Sequence, residues 1–167
     1  MNNFDSPAST YTFKDTKGRT WDLYLTLAGA QRIDQSDFSE VYGKPFSILS
    51  PTKEFFTEVI TNTGLIFGMI WCLVKPQADS KDISQEDFLE AVDGNVIQEA
   101  RDAFWGTLTN FFPEYKTMLL SLIKQYKEGL LKIGQEMDKL SQTALPEAMN
   151  RVIDKSMQDL RNELSKV

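Results

Sequence analysis

The sequence contains no histidine at all and a single cysteine, Cys72. Without an imidazole, every catalytic triad or dyad that uses one as its base is excluded, and so are the usual zinc sites, which draw on Cys and His. One cysteine cannot form a disulfide within the chain, which fits a reducing compartment. Cys72 lies inside an apolar run, where a free thiol behaves as a small hydrophobe rather than a nucleophile. Glycine-rich phosphate loops are missing too, since Gly64, Gly68 and Gly106 stand isolated. The N-terminus, MNNFDSPAST, has neither the basic start nor the apolar core of a secretory signal. The expectation is a cytoplasmic protein with no catalytic, cofactor-binding or metal site.

Positive charge is outnumbered, with 18 Lys and Arg against 24 Asp and Glu. The net charge is −6, which argues against non-specific nucleic-acid binding, because that needs Lys and Arg to neutralise phosphates. Acidity is concentrated over residues 75–102, with eight acidic and three basic side chains, whereas 114–167 is nearly balanced at eight and nine. The acidic stretch Asp79, Asp82, Glu86, Asp87, Glu90, Asp93 fails as a calcium loop, because Lys81 and Ile83 occupy ligand positions. Most of these residues are better explained as caps and a solvated helix face.

The longest apolar stretch is VITNTGLIFGMIWCLV, Val59–Val74, of which Gly64–Val74 carries no charge. Eleven residues are too few to span a bilayer, which takes about 20. We therefore read a core helix running from Pro51 to Val74, with Ser50 as its cap and Lys75-Pro76 as its stop, and no membrane segment. Gly64 and Gly68, four apart, would let a partner helix come close.

Upstream, residues 1–9 read as a flexible tail. Alternating Tyr11 and Phe13, then Trp21, Leu23 and Leu25, predict two strands joined by Asp15-Thr16-Lys17-Gly18, with Trp21 as a core anchor. Thr26 caps a short helix to about Asp34 that buries Leu27 and Ile33. Residues 35–50 form an irregular connection through Tyr42-Gly43-Lys44-Pro45, pinned by Phe38, Val41, Phe46, Ile48 and Leu49. Lys75–Ile83 reads as a linker. Ser84 to Asp87 forms a capping box ahead of Phe88, and this short helix ends at Asp93-Gly94 with the glycine left-handed. Asp93 or Asn95 caps an amphipathic helix stopped by Pro113, with Trp105 beside its apolar stripe and available to another surface.

From Glu114 on, narrow apolar seams appear. Leu119, Leu122 and Tyr126 are followed by Leu130, Ile133, Met137 and Leu140 at heptad spacing, with an irregular step near Gly129. After Pro146 a further helix carries Met149, Ile153, Met157 and Leu160. Such helices either fold back on each other as a hairpin or offer their seams to a partner. The fold class is thus mostly α with an N-terminal β-hairpin (α+β): a core domain over 10–113, then long coiled-coil-like helices over 114–167. Leu119, Leu122, Tyr126, Leu130, Ile133, Met137, Leu140, Met149 and Met157 are the candidate partner-binding residues.

Three strings together resemble a known family: the hairpin from Tyr11 to Trp21, the apolar helix closing on Trp71-Cys-Leu-Val-Lys-Pro-Gln77, and Ile83 through Gly94 running into Phe111-Phe112-Pro113. In this order they look like the tail assembly chaperones of long-tailed phages and prophages, over roughly residues 10–125. The resemblance implies a non-enzymatic helper that binds the tape-measure protein, with the tail tube protein as another partner, and that is shed from the finished particle. It also implies that a longer product is often made by frameshifting. Its motifs are fold-forming, so no functional residue carries across. One alternative is a structural tail or head–tail component that forms a homo-oligomer through the C-terminal helices. Another is an acidic inhibitor that mimics DNA with Asp79–Asp102.

Overall fold

A computed structural model describes residues 11–38 and 46–164, except for the side chains of 143–150, 157 and 159–164. Strands β1 (Tyr11–Lys14) and β2 (Thr20–Leu23) are followed by helices α1 (Leu27–Asp34), α2 (Lys53–Thr61), α3 (Thr63–Ser80), α4 (Gln85–Glu90) and α5 (Gly94–Phe111). A 3₁₀ turn, Pro113–Tyr115, leads into α6 (Lys116–Leu164). The expected class, mostly helical after an N-terminal hairpin, is what the chain adopts. It divides into two units, Met1–Lys124 and Gln125–Val167. The tail at 1–9 and the Tyr42–Pro45 turn lie outside the described residues.

In the first unit, β1 and β2 pair antiparallel, with Tyr11 opposite Leu23 and Phe13 opposite Trp21. The turn closes through the Gly18 N–H, which donates to the Asp15 carbonyl at 2.9 Å. Gly18 has φ +76°, a left-handed value that glycine reaches at no steric cost. The Asp15 side chain sits under this turn and is buried. Its carboxylate accepts from the Lys17 and Arg19 backbone N–H groups, the Arg19 Nε and the Trp21 Nε1. Burial alone would raise the Asp15 pKa, but the bonds from Trp21 and Arg19 and the Arg19 charge outweigh it and hold the pKa below the usual value.

A two-stranded sheet is marginal alone, and this one is held by aromatic packing. Phe88 of α4 sits between Phe13, Trp21 and Trp71, with ring centroids 6.4, 5.3 and 5.5 Å away. Trp21 is fully buried, as its place in the strand predicted, and the Lys81 ammonium stands 4.8 Å from its ring centroid. The outward backbone edge of β2 is met by a side-chain amide: the Asp22 N–H donates to Gln77 Oε1 at 3.1 Å, and Gln77 Nε2 donates to the Asp22 carbonyl at 2.7 Å. A second aromatic group, Phe55, Phe56, Phe112 and Tyr115, joins α2 to the end of α5.

The predicted Pro51–Val74 helix is in fact two helices, and it starts and stops later. Thr52, not Ser50, caps α2, accepting from the Phe55 N–H. Asn62 then takes an extended conformation, and its Oδ1 accepts from the Leu65 N–H to start α3. The axes of α2 and α3 meet at 94°. Lys75-Pro76 does not stop α3, which runs to Ser80, so most of the expected linker is helical. The proline at 76 removes the N–H that would have bonded the Cys72 carbonyl. Arg32 of α1 supplies the missing donor, its Nε lying 3.0 Å from the Cys72 oxygen.

Other local signals behaved as read. Thr26, Ser84 and Asp93 all cap their helices, and Ser84 and Asp87 also bond side chain to side chain at 2.8 Å. The left-handed residue, however, is Asp82 (φ +54°), after α3; Gly94 opens α5 instead. Leu27 is exposed and Trp105 is buried, the reverse of expectation, because α1 turns Gly29, Ala30 and Ile33 inward and α5 buries a wide face that includes Ala103, Phe104 and Trp105. Ile48 is buried but Leu49 is exposed. Gly68 faces the Phe38 ring, 2.6 Å from where a Cβ would lie, rather than the backbone of a partner helix.

The second unit is helical through Leu164. Within this unit no fold-back occurs, because Gly129, Gly134 and Pro146 all lie within one helix. A glycine costs a helix about 1 kcal/mol, too little to break one whose flanking turns are intact.

Candidate functional surface

Among the described residues, no group of three or more His, Cys, Asp or Glu side chains is placed to hold a metal ion. The acidic stretch is dispersed into structural tasks. Asp79 pairs with Lys75 at 2.8 Å, Asp87 completes the capping box, and Asp93 caps α5. Hydrogen bonds from Ser84 hold the Asp87 pKa below the ordinary carboxylate value. The thiol of Cys72 is half-buried and its pKa is pushed up by that burial, the opposite of what an attacking thiolate needs. A shallow groove of about 440 Å³ opens between Leu23–Thr26 and the end of α5 at Thr107, Asn110, Phe111 and Pro113. Among the described residues that line it, Tyr24 is the one titratable group.

No single helix among the described residues is long and apolar enough to cross a membrane. Helices α2 and α3 reach that length and composition only together, across their 94° bend.

The seam residues fall into three groups. In the first unit, Leu119 is fully buried and Leu122 half-buried, so Leu119 has no surface left for a partner. In the second unit, Tyr126 is half-buried, but Leu130, Ile133, Met137 and Leu140 are exposed to 42, 56, 65 and 60%. Met149 and Met157 belong to α6 by backbone, with side chains outside the described set. The exposed four are spaced three, four and three residues apart, which lines them along one side of the helix as a coiled-coil seam.

Beside this seam are features that the reading by periodicity missed. Leu131 and Val152 are also exposed, at 66 and 65%. The doublet Leu130-Leu131 was the available signal, since a strict heptad count admits only one of the two. Gly129 and Gly134 flank the seam, and nothing lies within 4 Å of a Cβ built on either. Chemically, the surface can bury apolar area against another helix. No protein-family model, curated protein or solved structure matches the chain.

Proposed function

We propose that the protein is a non-enzymatic tail assembly chaperone that grips the long helical tape-measure protein through the α6 seam. The observation carrying this reading is the exposed row Leu130, Ile133, Met137 and Leu140 on a helix. Monomeric proteins seldom leave such rows uncovered, and a seam of this spacing suits helix-against-helix capture.

Magnitude favours a reversible helper over a permanent structural part. Full burial of a large aliphatic side chain is worth about 1.5–3 kcal/mol. Four that are roughly half exposed contribute on the order of 5 kcal/mol from this side, with a similar amount from a matching partner. Association costs at least about 4 kcal/mol and often much more. The surplus corresponds to weak, releasable binding. An enclosed helical partner exposes apolar stripes only until its tube forms, so a weak cover is enough.

The test is co-purification of the full chain with the product of a neighbouring, very long helical reading frame. Replacing Leu130, Ile133 and Met137 by Asp should weaken capture at least tenfold while circular dichroism and buried-tryptophan fluorescence show residues 11–113 still folded. Undiminished capture by that folded variant refutes the surface. Mass spectrometry of purified particles then separates the helper, which should be absent, from a structural component that oligomerises through α6, which should be present.

A further inference from the structure

No further inference is drawn: the strongest candidate, the apolar face of α6 from Leu130 to Leu140 with Gly129 and Gly134 open beside it, belongs to the surface already assigned to a partner, and nothing in the structure shows which particular helix covers it.

Discussion

If Arg32 stands in for the N–H that Pro76 lacks, its removal should hurt only while the proline is there. The Arg32 Nε donates to the Cys72 carbonyl at 3.0 Å, four residues before Pro76. A hydrogen bond from a charged donor contributes about 1.5–3 kcal/mol, and this one, being part-buried, belongs in the lower half of that range. Arg32→Ala should therefore destabilise the first unit by about 2 kcal/mol. In a Pro76→Ala background the new N–H at 76 can bond the same carbonyl. There the loss of Arg32 should cost under about 1 kcal/mol, leaving a coupling of at least about 1 kcal/mol in the double-mutant cycle. Urea unfolding followed by fluorescence of the fully buried Trp21 measures all four proteins. Additive effects, agreeing within about 0.5 kcal/mol, would refute the reasoning and leave Arg32 as an ordinary surface cation.

Three other outcomes follow from the geometry. Asp15→Asn puts an amide against the donors Arg19 Nε and Trp21 Nε1 and should cost about 3 kcal/mol, the scale for breaking a buried charge pair. Because the folded pKa of Asp15 lies below its unfolded value, its contribution is present above about pH 4 and is lost as pH falls through the folded pKa. The stability gap between wild type and Asp15→Asn should accordingly narrow in acid, measured as urea midpoints from pH 7 down to pH 3. Gly106→Ala drives a methyl into the Tyr11 ring, so an overpacking cost of about 1–3 kcal/mol should outweigh the helix-propensity gain of about 1 kcal/mol and lower Tm. Gly134→Ala meets nothing within 4 Å and should instead raise the helical signal, with a gain of about 0.5–1 kcal/mol; a loss there would mean the site is already covered.

Where the deciding interaction is local, the sequence was readable. Thr26, Ser84 and Asp93 cap helices within three residues of themselves, and the Asp15–Gly18 turn is set by one left-handed glycine. Where the deciding partner is distant, it was not. The helix that crosses Pro76 does so with a donor 40 residues upstream of the carbonyl it satisfies, and nothing near position 76 announces it. Asn62 sits in a Thr-Asn-Thr stretch that helical periodicity passes over, yet its side chain starts a new helix at a right-angle bend. The seam shows both regimes. Its heptad spacing is local and was visible, but which members are exposed depends on packing: Leu119 is buried and Met137 is not.

One side-chain amide caps an edge of the hairpin. By answering both backbone groups of Asp22, Gln77 ends the sheet at its second strand on that side, so no further strand is invited there to lengthen it. Edge-to-edge strand pairing, a common route to irreversible clumping, is thereby closed off at Asp22 by a single side chain from a helix 55 residues further along the chain.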